Sequence, residues 1–238
     1  MLTFNRIVLP LLLPITVLGA ATLLLPYQAL LPPSLAGILE YGPYLILAIV
    51  GSLSVAFNRG KVLLASVLFL SGYLVVNWLP DQPGDQANIA AVSEFSLYAL
   101  LPLNLALVGL YRERGILSLH GCLRSAVILI QIAAVIALVI QPQPDLFVLL
   151  AGELLALENA PWPALPLPAS QLILLILAVS VIGTVTTAYG HNTPLSFALL
   201  GALGGYLLGL FNGESFSIYI MAASLILCLG ILRDSYNN

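Results

Sequence analysis

The 238 residues are 61% hydrophobic and 7% charged, with a mean hydropathy of +1.07. A soluble domain carries about 25% charged residues, so this composition excludes a water-facing globular surface and points to a chain solvated by lipid. Seven Lys plus Arg against ten Asp plus Glu leave a net charge of -3, and with it no basic face for nucleic acid.

A helix crossing the bilayer takes about 20 apolar residues. Apolar runs bounded by charge, Pro or Gly predict eight spans, at 7–25, 39–57, 62–79, 95–111, 122–141, 172–189, 194–212 and 216–233. The expected fold is therefore all-α and integral to the membrane: a bundle of about eight transmembrane helices forming one polytopic domain over residues 1–238. The first run has Arg6 before it and Gly19, Ala20 and Ala21 within it, as a secretory signal would. Its full span length and the spans that follow mark it as retained, with Pro10 and Pro14 interrupting it.

Placing the N-terminus in the cytoplasm puts Arg6, Arg59, Lys61, Arg112, Arg114, Arg124 and Arg233 at cytoplasmic ends. Basic segments resist translocation, so both termini are expected inside. The inner connections are then short, while residues 80–93 and 142–171 form longer outer loops. Within the second of these, 145–158 sets Leu146, Leu149, Leu150, Leu154 and Leu157 on one face, the pattern of an amphipathic helix lying on the outer interface with Trp162 as anchor. A plain connection is the alternative.

The spans contain no Asp, Glu, Lys or Arg near their middles, whereas ion-coupled transporters place ionisable groups at that depth. The polar candidates for a ligand pocket are Asn104 in the fourth span, Gln131 in the fifth, and Thr184 and Thr187 in the sixth. The same residues are also able to join helices by hydrogen bonds of about 1 kcal/mol each. His120 and His191 border the fifth and sixth spans; interfacial hydrogen bonding is preferred for them over haem ligation. Cys122 and Cys228 lie near the cytoplasmic side, where thiols stay reduced. No metal site and no catalytic motif is expected within this chain.

In the seventh span Gly201, Gly205, Gly209 and Gly213 recur every four residues. Small residues at that spacing let two helix backbones approach closely, within one subunit or between two. The eighth span carries Ile218, Ala222, Leu225, Leu229, Leu232 and Tyr236 at alternating spacings of four and three, the repeat of a coiled-coil seam. Leu229, Leu232, Arg233 and Tyr236 thereby mark a signal exit.

The run Leu232-Arg233-Asp234-Ser235-Tyr236-Asn237, with Tyr189-Gly190-His191-Asn192-Thr193-Pro194 and Phe197-Ala198-Leu199-Leu200-Gly201, resembles the N-terminal membrane sensor (MASE-like) domain of bacterial GGDEF-type diguanylate cyclases. The likeness covers roughly the last third of the chain and is only general before it; none of these residues is a catalytic motif. It implies a bacterial inner-membrane signal-input and dimerisation domain, sensing an outer-face or lipophilic cue and regulating a C-terminal cyclase. The cyclase half, with its GTP and Mg sites, is absent from this sequence, so no cofactor and no enzymatic activity are expected here. The partners implied are the bilayer, a second copy of the chain and an unknown small or lipophilic ligand. The alternatives are a small neutral-solute channel or transporter, and a haem-binding membrane sensor.

Overall fold

The computed structural model describes residues 2–30, 32–83, 85–110, 118–141, 170–191 and 193–237. The expected amphipathic segment at 145–158, the Trp162 anchor, and Arg112 and Arg114 lie outside the described residues. The described residues form helices and turns, with no strand among them. Eight of these helices are long and apolar enough to cross a membrane: α1 (Leu2–Leu24), α2 (Pro33–Ala56), α3 (Gly60–Trp78), α4 (Gln86–Leu110), α5 (Leu119–Ile140), α6 (Gln171–His191), α7 (Pro194–Phe211) and α8 (Phe216–Asn237). Length and composition are those of a multi-pass membrane protein.

The helix ends follow from local chemistry. Ser118 Oγ accepts from Gly121 N–H at 3.1 Å to start α5, and Thr193 Oγ1 accepts from Ser196 N–H at 3.2 Å to start α7. Pro194 follows Thr193, at a position where its missing N–H costs nothing. Between α2 and α3 the chain reverses through Asn58, whose φ of 53° is left-handed, a region that asparagine tolerates better than most residues.

One boundary departs from expectation. Residues 80–93 were expected as an outer loop, yet α4 begins at Gln86. Asp85 caps it, its carboxylate accepting from Ala87 N–H at 3.1 Å. Asn88, Ile89 and Val92 are buried in the added turns, where Asn88 Nδ2 donates to Leu138 C=O of α5 at 3.2 Å. The polar residues that read as a loop are thus absorbed by a cap and by a helix contact, neither visible to a hydropathy window.

The densest packing joins α8 to α7 and α2, and α4 to α6. At the end of the bundle marked by Trp78, the rings of Tyr206 and Phe216 meet at 5.9 Å, Tyr206 and Phe69 at 5.8 Å, and Tyr73 and Phe216 at 6.2 Å. Tyr73 OH donates to Glu40 C=O at 3.0 Å, fastening α3 to α2, while Thr22 and Tyr219 hydroxyls meet at 3.1 Å between α1 and α8.

Three of the four stripe glycines explain the α7 contacts. A side chain at Gly201 would strike Pro14 of α1; one at Gly205 would meet Leu18 at 2.9 Å and Ala223 at 3.3 Å; one at Gly209 would meet Phe216 at 2.9 Å and Tyr219 at 3.1 Å. The stripe therefore packs within the chain, against α1 and α8. Gly213 does not belong to it: a side chain there would meet nothing within 4 Å, because the helix has ended at Phe211 and Gly213 opens a short 3-10 turn.

At the opposite end, Arg59 in the α2–α3 turn pairs with Asp234 of α8 at 2.9 Å, and buried Lys61 Nζ donates to Gly109 C=O near the end of α4 at 3.0 Å. The second contact sets a cation against the negative end of a helix dipole. Together they tie the exit of α8 and the last turn of α4 to one turn.

Candidate functional site

The helix α5 stands apart from this packing. Only 6% of its apolar window is buried, against 61% for α7. It touches α3 and the first turns of α4, leaving between the three helices a cavity of about 750 Å³. Its walls are mostly aliphatic: Leu68, Leu74 and Val75 of α3, Leu97, Leu100 and Leu101 of α4, and Ile132, Val135, Ile136 and Val139 of α5. Trp78, Gln82, Pro83 and Asp85 stand at one end and Asn104 and Gln131 at the other. Asp85 is the one charged residue among the described lining residues. Asn104 stands nineteen positions beyond Asp85, so the space runs about 28 Å along α4 at the usual helical rise.

Asn104 and Gln131, two of the four pocket candidates, meet across this cavity. Asn104 Nδ2 donates to Gln131 Oε1 at 2.8 Å and to Leu100 C=O, also at 2.8 Å. Asn104 is thus bound to its own helix and to α5 at once, a polar clasp at the end of an otherwise apolar slot. Thr184 and Thr187 lie elsewhere. Both are buried on α6, with hydroxyls donating to Ser180 C=O at 2.9 Å and Gly183 C=O at 2.7 Å. Thr187 packs at Gly109, and Gly183 faces Ala106, so these residues form a close α4–α6 seam.

The wall contributed by α4 has a local cause. Over Ser96–Leu100 the backbone widens to an i to i+5 turn, with Leu101 N–H donating to Ser96 C=O. Pro102 follows. In an unbroken α-helix its ring would press on Tyr98 C=O, four residues back, and its absent N–H would leave a carbonyl without a donor. Widening the turn relieves the clash, and the orphan in the new register is Leu97 C=O, five residues before Pro102. Tyr206 OH of α7 reaches across to donate to it at 2.9 Å. Such widened turns recur at functional sites; here one links the cavity wall to the tightly packed α7–α8 pair.

Ser96, at the head of that turn, is 7% exposed and lines the cavity, and its Oγ has no hydrogen-bond partner. A second, smaller space of about 160 Å³ lies on the far side of Asn104, lined by Leu107, Val108, Leu123, Arg124 and Val127. It shares Asn104 and Ile128 with the large cavity.

The remaining candidates scatter. His191 ends α6 on the surface, and the side chain of His120 lies outside the described residues. Cys122 is exposed and Cys228 half-buried, each a free thiol. Along the α8 seam, Ile218 and Ala222 pack on α1 with Val17, Leu18 and Ala21. Beyond them Leu225, Leu232 and Tyr236 are exposed and Leu229 and Arg233 half-buried. The seam is therefore covered over its first half and open over its second.

Sequence reasoning passed over Ser96 and Tyr206, and it read Arg59 and Asp234 separately without foreseeing that they pair. The interior Pro102 was the available signal for the first two, since a proline inside a span demands that some carbonyl be satisfied from outside the helix. No sequence pattern points to the Arg59–Asp234 pair, which joins residues remote in the chain. No family model matches this chain, and no match is found among curated proteins or solved structures.

Proposed function

We propose that this chain is a membrane-embedded signal-input domain, in which a ligand held between α3, α4 and α5 biases the position of α8. The observation that carries this reading is the cavity of about 750 Å³ beside the loosely docked α5, joined through the Tyr206 bond to the helix pair that ends in α8. Its volume falls within the range of about 300–1,000 Å³ typical of small-molecule sites. A ligand that fits one arrangement of α5 better than another shifts the population toward it. The Tyr206 bond, the α7 glycines and the Arg59–Asp234 pair supply physical contacts from there to the exit at Leu232, Arg233 and Tyr236.

The output follows the sequence resemblance. In this reading the domain sits in a bacterial inner membrane with both termini cytoplasmic, dimerises, and controls a diguanylate cyclase attached beyond α8. The exposed second half of the α8 seam supports the dimer, since it is the part left open for a second copy. The test is a fusion of this chain through α8 to a diguanylate cyclase domain, with Val135→Trp plugging the cavity. Cyclic di-GMP output is expected to change severalfold; unchanged output in well-folded, membrane-inserted protein overturns the reading.

A second reading, a passage for small neutral solutes, is favoured by one observation: the large and small cavities meet at Asn104 and Ile128. Glycerol flux into liposomes holding the protein, above that of protein-free liposomes and raised by Asn104→Ala, would establish it in place of the first.

A further inference from the structure

In hydrocarbon a polar group depends on the protein or a ligand for its hydrogen bonds, because no water stands by to supply them. Gln131 lies twelve positions after the first residue of α5 and nine before the last, the middle of a helix that crosses a bilayer. Its neighbours fix which way its amide is turned. Leu100 C=O only accepts, so the Asn104 atom bound to it is Nδ2; the same Nδ2 faces Gln131, whose atom there is therefore Oε1. The other end of the Gln131 amide is Nε2, with two N–H donors that no hydrogen bond uses among the described residues. Arg59 Nε, Asn88 Oδ1, Ser96 Oγ and Ser235 Oγ also lack hydrogen-bond partners, but each is sealed inside the protein. Gln131 Nε2 is not among the sealed atoms: its residue is only half-buried, and it lines the large cavity.

We infer that Gln131 Nε2 is the donor that holds the head of an uncharged lipophile bearing a carbonyl or ether oxygen, drawn from the bilayer into the cavity between α3, α4 and α5. This rests on the ligand-sensing reading above and names the ligand class. Nε2 only donates, so the head has to accept. Asn104 is the positioning residue: by holding Oε1 it leaves the two donors for a ligand. Water is a poor occupant of this end, since it needs two to four polar partners, and the lining residues within a turn of the amide pair include aliphatic Leu101, Ile128, Ile132 and Val135. A charged head is costly in such surroundings without a counter-charge. No cation stands among the described residues lining the large cavity, and Arg124, two turns back along α5 from Gln131, lines only the smaller space. The aliphatic walls and the length along α4 suit an extended chain, with its oxygen at mid-depth in the membrane.

Photolabelling of the full chain in lipid nanodiscs tests this. The probes are hexadecan-2-one with a diazirine near its carbonyl and, with the diazirine at the same place, hexadecane, hexadecanoate at pH 9 and hexadecyltrimethylammonium; adducts are mapped by mass spectrometry. The ketone is expected to label α5 around Ile128, Ile132 and Val135, about tenfold more than the alkane, the worth of one hydrogen bond. Gln131→Met, which keeps the length of the side chain and removes its donors, should bring the ketone down to the level of the alkane. Thr184→Ala, a hydroxyl off the cavity, should leave the ketone labelling unchanged. Equal labelling of the unaltered protein by ketone and alkane, labelling by either charged probe that matches the ketone, or ketone labelling indifferent to Gln131→Met overturns the inference; the first two comparisons need no variant to fold. Labelling reads binding and cyclic di-GMP reads signalling. Gln131-dependent labelling with no effect of Val135→Trp on the output of the fusion refutes the sensing role and leaves the binding site standing, while an output that responds to Val135→Trp with labelling indifferent to Gln131 refutes this anchor and leaves the sensing role.

Discussion

Two regions of this molecule are built from the same apolar alphabet and packed in opposite ways. Helices α7 and α8 lie close together because Gly205 and Gly209 present no side chain where Ala223, Phe216 and Tyr219 arrive. Helix α5, whose Ile, Val and Leu residues are as apolar as any in the chain, touches its neighbours lightly and leaves a cavity. Hydrophobicity does not separate them, because lipid tails solvate a Leu as well as another helix does. In a bilayer, association is decided by van der Waals fit and interhelical hydrogen bonds. The glycine-lined pair has fit; α5 is joined to α4 by the Asn104–Gln131 and Asn88–Leu138 hydrogen bonds. A region held by a few polar contacts beside a void moves at small cost, and one held by interlocked backbones moves as a unit, which is the division expected between input and relay.

The largest effect should come from disrupting the tight side. Gly209→Leu drives a branched side chain into Phe216 and Tyr219 and is expected to cost about 3 kcal/mol or more, whereas Gly213→Ala, with open space around it, should be neutral. Thermal unfolding of the purified protein in detergent compares them; equal effects would mean that the stripe is not the basis of the contact. Next in size is the contrast between fully buried Leu227 of α8 and Val135 of α5. Leu227→Ala should lose about 2–4 kcal/mol through an unfilled cavity, and Val135→Ala, which merely enlarges a space already present, less than about 1 kcal/mol. Tyr206→Phe keeps the ring packing and deletes the donor to Leu97 C=O. A loss of about 1–3 kcal/mol is expected from the carbonyl left without a donor, and in the cyclase fusion the response to Val135→Trp should weaken. The smallest effect belongs to the Arg59–Asp234 pair. Its partial exposure to solvent limits the coupling energy of an Arg59→Ala and Asp234→Ala double-mutant cycle to about 1 kcal/mol, and raised salt should reduce it further.

The span limits were legible in the sequence because hydropathy is a local, additive property. The expected 122–141 and 194–212 stand as Leu119–Ile140 and Pro194–Phe211. The extension of α4 back to Gln86 was not, since a cap at Asp85 and a bond from Asn88 to a carbonyl fifty residues away rescue a segment too polar to register as a span. Of the pocket candidates, Asn104 and Gln131 line one cavity, while Thr184 and Thr187, chosen by the same criterion of polarity in an apolar run, serve a helix seam. Polarity marks that a residue needs a partner and does not say whether a backbone carbonyl, a neighbouring helix or a ligand provides it.

What the residues determined alone is the number of apolar rods, the glycine face of the close contact, on which Gly201, Gly205 and Gly209 lie and the expected Gly213 does not, and the presence of a proline that obliges a neighbour to supply a hydrogen-bond donor. The tertiary arrangement decided that Tyr206 is that neighbour and that the glycine face closes on α1 and α8 of the same chain. The physical reason is that hydropathy and helical period are set by residues within a turn or two. Which hydroxyl finds a carbonyl on another helix depends on how helices far apart in sequence come to lie side by side.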